Sequence, residues 1–395
     1  MSYSVYLSAE YYLEQAIEKF LRLYVKFLPA PGFEKERIKK ILICAYHGLG
    51  NFILYAPAIK AIRDHFPDAE IHLQVGNNTA CEEVLEKSGI FQKIIDVGSN
   101  AGWRAWLSRI RDVRREKYDL IINEFHSNSY FLAMMVAFSR APYRLGHVES
   151  PGWPARYSFL YNLPVKMKEN QHEVDRYFEL ARTIGVPQHL YTRKLFIHLT
   201  DSDYSFAEEF LNQHGVEAAD TLIGVQVGTS ESMRWKQWPP ERFTQLCQRI
   251  QADFPAVKLI LLGSPGEAQM VRSIAGQLNP RPIIAAGETT VRQAAALIER
   301  CSLLVCNDSG LMHMAVAVGT PVLAIYGPTD FHRTAPLGSI HTIIRKDLPC
   351  SPCFKLDGMH RVNSCDHKQC LNTMQVDEVF QALKLKIKVT AHGEQ

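Results

Sequence analysis

The chain has 395 residues, 47% hydrophobic and 22% charged, the composition of a globular protein and too much sequence for one ordinary core. Lys and Arg number 44 against 41 Asp and Glu, a net charge of +3, which argues against a nucleic-acid wrapper with its strong basic excess. Mean hydropathy is −0.12, and the densest apolar stretch, Tyr130–Phe138, is nine residues long, far short of a transmembrane helix.

The N-terminus shows no basic n-region, apolar h-region or small-residue cleavage site, so it does not read as a secretory signal. Residues 8–28 read as an amphipathic helix in which Tyr12, Ala16, Phe20, Leu23 and Phe27 recur at spacings of three and four. Pro29, Pro31 and Gly32 end it. Its wide aromatic face suits either packing on the domain or a membrane or partner surface. Residues 41–45 then read as a buried parallel strand, followed by helix Ala56–His65, strand Glu70–Val75 and helix Thr79–Ser88. Strand Lys93–Val97, helix Ala101–Lys117 and strand Tyr118–Asn123 continue the alternation.

A second series starts near residue 221. It runs through strand Thr221–Val227, helix Pro240–Phe254, strand Val257–Leu262, helix Gly266–Leu278 and strand Ile283–Ala285. Helix Thr290–Arg300, strand Leu303–Cys306, helix Gly310–Val318 and strand Pro321–Tyr326 complete it. Two such α/β series predict two Rossmann-like, doubly wound domains facing a cleft, with a hinge in 190–220.

Three loops carry the chemistry. Gly48-Leu-Gly-Asn-Phe-Ile53 sits between strand and helix, but Ile53 occupies the position where a dinucleotide fingerprint needs Gly or Ala. The loop either brings a ligand to free amides or serves only the turn. Asn307-Asp-Ser-Gly-Leu-Met-His313 enters a helix from a buried strand, leaving amides at Ser309 and Gly310 for an anion, with Asp308 and His313 alongside. Gly327-Pro-Thr-Asp330 would share that rim. Lys236, in Trp235–Pro239, is placed to reach a diphosphate, with Gly228-Thr-Ser230 near it and Glu267 placed for a ribose hydroxyl. Taken singly, each also reads as a solvated surface residue.

Other signals fail. No Walker loop is present, His172-Glu-Val-Asp-Arg176 lacks a second histidine, and Asp201-Ser-Asp203 reads as a helix cap. Of nine cysteines, Cys44, Cys81, Cys247, Cys301 and Cys306 read as small buried hydrophobes, in keeping with a reducing cytoplasm. Cys350, Cys353, Cys365 and Cys370 have the look of a structural four-thiolate zinc site, with His360 and His367 as substitutes; disulfides or unligated thiols are the other readings.

These residues together resemble glycosyltransferase family 9, the heptosyltransferases of the bacterial lipopolysaccharide inner core. The match spans about Ile38 to Leu383, and its most specific piece is Cys306-Asn-Asp-Ser-Gly-Leu-Met-His-Met-Ala-Val-Ala-Val-Gly-Thr-Pro321, continued by Ala324–Thr329. The resemblance implies a GT-B architecture: helical extension 1–37, acceptor domain 38–195, and nucleotide-sugar domain 196–395 bearing the cysteine cluster. It implies inverting transfer of a sugar such as heptose from a nucleotide-diphospho-sugar to a lipopolysaccharide-core or related acceptor, with no catalytic metal. Asp308, Ser309, Gly310 and His313 would contact the donor diphosphate, Lys236 would neutralise it, Glu267 would hold the ribose, and Thr229 and Ser230 would line the phosphate loop.

One position departs from the family. Gly48 and Gly50 fit its acceptor-side loop, but Asn51 replaces the Asp regarded as the base, and an amide takes no proton at neutral pH. Either His47, Glu124 or His126 then serves, or the acceptor and donor differ from the heptose case. The implied location is the cytoplasm, peripheral to the inner face of the inner membrane, where residues 8–28 and the basic stretch Arg104–Lys117 can meet an anionic surface. A nucleotide-sugar epimerase of the same fold and a non-catalytic binding scaffold are the alternatives.

Overall fold

The structure, a computed structural model, describes residues 2–46, 48–76, 80–96, 103–124, 130–150, 153–154, 156–354, 365 and 367–392. Two compact units divide the chain: Met1–Gly48 with Pro57–Thr192, and Leu49–Ala56 with Arg193–Gln395.

The first unit opens with α1 (Ser2–Tyr24), which runs into a short 3-10 turn, Val25–Phe27. There follow β1 (Lys40–Ala45), α2 (Leu49–His65), β2 (Glu70–Val75), β3 (Lys93–Asp96), α3 (Trp103–Glu116) and β4 (Leu120–Asn123). Next come α4 (Tyr130–Ser139), β5 (Tyr143–Ser150), β6 (Trp153–Pro154), β7 (Leu163–Lys166) and α5 (Glu173–Thr183). The strands order as β3-β2-β1-β4-β5, with β6 antiparallel and β7 parallel to β5. Ile41, Leu42, Ile43 and Cys44 of β1 are all buried, as a central parallel strand covered on both faces requires.

Two departures from the sequence reading have plain causes. Within the expected helix 79–88 the described residues form only the 3-10 turn Cys81–Val84, bracketed by Ala80 at φ 50° and Gly89 at φ 74°. Helix α4 went unread because Tyr130–Ser139 is apolar on every side, packed between α1 and α3, and such a helix has no periodic signal.

Helix α1 decides between the two readings of its aromatic stripe. It packs against α4 through Ile17, Leu21, Tyr24, Val25 and Leu28, joining Leu132, Met135 and Val136 in one core. The stripe Tyr12, Ala16, Phe20, Leu23 and Phe27 is left exposed. Both stripes recur at helical spacing, and only the partner helix decides which is covered. The following residues are tied down as well. The buried Arg144 guanidinium, its pKa drawn down to about 10 by burial, donates to the carbonyls of Pro29, Ala141 and Leu160 at 2.7–2.8 Å. Tyr143 donates to Gly32 O at 2.9 Å. Residues 1–37 are therefore part of the first unit.

The second unit takes the first turns of α2 and then α6 (Asp201–Gln213), β8 (Leu222–Gln226), α7 (Pro240–Asp253), β9 (Lys258–Leu262) and α8 (Ala268–Ala275). It continues with β10 (Ile283–Ile284), α9 (Val291–Glu299), β11 (Leu303–Asn307), α10 (Gly310–Ala317), β12 (Val322–Tyr326), α11 (Phe331–Thr334) and β13 (Thr342–Arg345). Helices Gln369–Asn372 and Val376–His392 close the chain. The sheet is wholly parallel, in the order β10-β9-β8-β11-β12-β13. Its core joins Val225, Leu261, Val305 and Leu323 to Phe243, Val271 and the C-terminal Phe380 and Leu383. Asp203 takes the capping role expected of it, accepting from Thr200 N at 2.9 Å.

Candidate active site

Strand order in the second sheet reverses between β8 and β11, and ligands of doubly wound sheets bind outside the carboxyl ends of the strands at such a point. Asn307, at the end of β11, is fully buried and binds three segments together. Its Oδ1 accepts from Trp238 N at 2.8 Å, and its Nδ2 donates to Val227 O at 2.8 Å. Gln226, buried at the end of β8, donates through Nε2 to Gly228 O and accepts from Ser309 Oγ at 3.0 Å. Ser309 is the N-cap residue of α10, yet its hydroxyl goes to Gln226 and makes no cap bond. The first-turn amides of α10 are thus left without a side-chain acceptor, at the positive end of the helix dipole.

Lys236 ends a 3-10 turn, Glu231–Lys236, and its Nζ lies 3.3 Å from Asp308 Oδ2, with Asp308 buried and Lys236 largely so. Both were expected at the donor diphosphate, and the structure pairs them with each other. Glu267 is buried, and its Oε2 accepts from Ser264 N at 2.6 Å and from Ser264 Oγ at 2.7 Å. Its Oε1 has no hydrogen-bond partner among the described residues, and the same is true of the buried hydroxyls of Thr229 and Thr329. Buried polar atoms are rarely left unmade in a folded protein. Three such oxygens at the carboxyl ends of β8, β9 and β12 call for a polar ligand. Gly228 is required here, because a Cβ on it would lie 2.0 Å from Glu267 Oε1. Ser230 is exposed and stands at the N-cap position of the turn that carries Lys236, without a side-chain cap bond.

Gly48 is the N-cap of α2, and Leu49, Gly50 and the half-buried Asn51 form its first turn. A Cβ on Gly50 would fall 3.0 Å from Cδ2 of the buried His313 and 3.3 Å from Gly310 Cα. The glycines of these two loops are thus used for close approach between the start of α2 and the start of α10. Glu124 is buried at the end of β4 in the first unit, where its Oε1 accepts from Tyr46 N at 2.6 Å and anchors the loop after β1. His47 and His126 lie outside the described residues.

Burial pushes the Cys247 and Cys301 thiols up to about 12 and those of Cys44 and Cys306 higher still, which suits small apolar fillers. In the cluster, Cys350 is exposed, Cys353 and Cys365 are half-buried and Cys370 is buried, none of them in a disulfide. Burial and then the neighbouring thiols raise Cys353, and they push Cys370 up to about 11. Cys365 Sγ lies 4.0 Å from both ring nitrogens of His367. Among the described residues no three His, Cys, Asp or Glu side chains are gathered as metal ligands, and His360 lies outside them.

The sequence reading passed over Gln226 and gave Trp238 and Thr329 no role beyond membership of their loops. A glutamine closing an otherwise apolar strand was the available signal, since a buried polar residue needs a partner.

Residues 106–361 match the family model described as glycosyltransferase family 9 (heptosyltransferase). The chain belongs to glycosyltransferase family 9. Lipopolysaccharide core heptosyltransferase OpsX of Haemophilus influenzae is 24% identical over 312 residues, covering 78% of this chain and 85% of the relative. Lipopolysaccharide heptosyltransferase 2 of Escherichia coli is 27% identical over 317 residues, 72% of this chain and 86% of the relative. The crystal structure of a family 9 glycosyltransferase from Veillonella parvula matches with a TM-score of 0.71 at 23% identity, covering 90% of this chain and 98% of that one. That likeness shows the GT-B fold, two Rossmann-like units in one chain. Membership of the family makes the protein a glycosyltransferase, and favours neither the epimerase nor the scaffold reading.

Proposed function

We propose that the protein transfers heptose from a nucleotide-diphospho-heptose to a lipopolysaccharide-core acceptor, as its curated relatives are named for doing. The observation that carries this is the anion site at the switch point: the uncapped N-terminus of α10 beside the Lys236–Asp308 pair. The acceptor hydroxyl oxygen bonds to the anomeric carbon, the anomeric carbon–phosphate oxygen bond breaks, and the nucleoside diphosphate leaves with the electron pair. Negative charge grows on that diphosphate in the transition state. Lys236 and the α10 amides are positioned to stabilise it without a metal ion. Asp308, itself an anion, holds the Lys236 ammonium in place and does not contact phosphate. Thr229 Oγ1, Glu267 Oε1 and Thr329 Oγ1 take hydroxyls of the nucleotide-sugar, with Glu267 assigned to the ribose.

The hydroxyl proton goes to a group other than Asn51, whose amide orients the acceptor. Glu124 and His47 are the candidates, separated by whether the acid limb of the pH–rate profile follows Glu124→Gln or His47→Asn. Mass spectrometry of acceptor, donor and products tests the whole reading. Acceptor-dependent growth by one heptose supports it; an altered donor sugar without acceptor supports an epimerase, and donor binding without turnover a scaffold.

A glycolipid acceptor places the enzyme in the cytoplasm at the inner face of the inner membrane. We also propose that Cys350, Cys353, Cys365 and Cys370 hold a structural zinc ion. Burial and then the neighbouring thiols raise Cys353 and Cys370, and these four sulfurs are a donor set that a divalent cation would deprotonate and draw together. Metal analysis of purified protein, with Cys370→Ser alongside, checks this. One equivalent of zinc lost in the variant supports it, and no bound zinc contradicts it.

A further inference from the structure

We propose that the exposed stripe of α1 is a docking face for an anionic phospholipid bilayer. Tyr12, Leu13, Phe20, Leu23 and Phe27 are 71%, 52%, 51%, 61% and 79% exposed, five large apolar side chains on one helix and its continuing turn. Scattered surface apolar residues need no explanation, but an aligned stripe does. The helix does not swing free to present it. Its opposite face is fixed by Leu21 and Leu28 in the α4 core, and Arg156 Nε bonds Glu18 Oε2 at 2.7 Å while its Nη1 bonds Glu14.

That ion-pair cluster also sets the charge of the face. Glu14 and Glu18 are half-buried and paired with Arg156, Glu18 also with Arg22, so between residues 12 and 27 every exposed charged side chain is basic: Lys19, Arg22 and Lys26. The Arg22 guanidinium lies over the Phe159 ring at 4.3 Å as well as pairing with Glu18. A helix showing aromatic and leucine side chains flanked only by cations is built to lie in the interface of an anionic bilayer. No helix among the described residues is long and apolar enough to cross one. Helix α3, which packs on α4 as α1 does, exposes Arg111, Arg114 and Arg115 together with Asp112. A second copy of this chain would gain nothing from the cations, which would repel across a self-pairing.

This deepens the membrane-surface part of the reading above and rests on it; vesicles free of glycolipid test docking apart from transfer. The full chain is spun with phosphatidylglycerol-containing vesicles and with pure phosphatidylcholine vesicles. The wild type is expected to pellet with the first and not the second, and less so at high salt. Phe20→Ser/Leu23→Ser/Phe27→Ser is expected to lose at least about tenfold in partition, and Lys19→Glu/Lys26→Glu to lose the preference for anionic lipid. Both should keep the wild-type melting temperature and turnover with a delipidated acceptor in solution. Equal pelleting of wild type and folded variants, or no pelleting of the wild type, overturns the proposal. So does a dimer of the wild type that the triple variant dissolves while vesicles stay bare.

Discussion

Lys236 Nζ and Asp308 Oδ2 lie 3.3 Å apart, joining the turn after β8 to the loop after β11. The pair sits beside a helix N-terminus that its own cap residue leaves open. A buried carboxylate therefore holds an ammonium where an anion would meet it, before any donor arrives. An ion pair of this kind presets position, and the incoming diphosphate then competes for a cation already in place.

The two members should accordingly fail differently. Lys236→Ala removes the stabilising charge and is expected to lower kcat about 100-fold with little change in fold. Asp308→Asn leaves the ammonium present but free to wander, and is expected to lower kcat/KM about tenfold. Steady-state kinetics with circular dichroism as control decide it; equal and small effects would place the pair outside the reaction.

Gly228 faces Glu267 so closely that an added methyl must expel the carboxylate, since the new Cβ would lie 2.0 Å from Oε1. Gly228→Ala should therefore break both bonds to Ser264, worth about 1 kcal/mol each, and raise the donor KM about tenfold. Gly228→Ala/Glu267→Ala should be no less stable than either single variant and keep the high KM, a non-additive cycle that calorimetry and kinetics can read together.

Asn51 tests the departure from the family pattern. An amide contributes no ionisation, whereas Asn51→Asp introduces a carboxyl with an ordinary pKa of about 3.9. The variant's kcat/KM profile should carry its acid limb to lower pH than the wild type's. Superimposable profiles would remove position 51 from the neighbourhood of the reacting hydroxyl.

Stability of the first unit should carry a mark of Glu116. It accepts from Lys40 Nζ at 2.5 Å and Lys93 Nζ at 2.7 Å, joining the end of α3 to β1 and β3, and those bonds lower its pKa from 4.5 to about 2. A depressed carboxyl pKa contributes stability that is full above the unfolded value and lost as pH falls through the folded one. The melting-temperature gap between wild type and Glu116→Gln should therefore be constant above about pH 5 and shrink from pH 4.5 toward 2. A gap that widens on acidification would reverse the sign.

Most of the second unit was legible in the sequence, because its strands are short apolar runs and its helices alternate with them under clear caps. The loops at the strand ends were legible for the same reason, and Lys236, Glu267 and Asp308 do stand on them. What could not be read was who holds whom. That Asp308 pairs with Lys236 shows only in the structure, and Gln226 and Asn307 look like ordinary polar residues until their buried bonds are seen. In the first unit the all-apolar α4 gave no period, so nothing in the sequence could tell which stripe of α1 it covers, and the left-handed Ala80 and Gly89 that cut the expected helix 79–88 short show only in the structure. The loops bearing His47 and His126 lie outside the described residues.

The most direct test of the donor site is mass-spectrometric transfer from a nucleotide-diphospho-heptose to a lipopolysaccharide-core acceptor, run with wild type and Lys236→Ala. The expected result is acceptor-dependent addition of one heptose by the wild type, slowed about 100-fold in the variant. Donor left intact by the wild type, or equal rates in the two proteins, would contradict it.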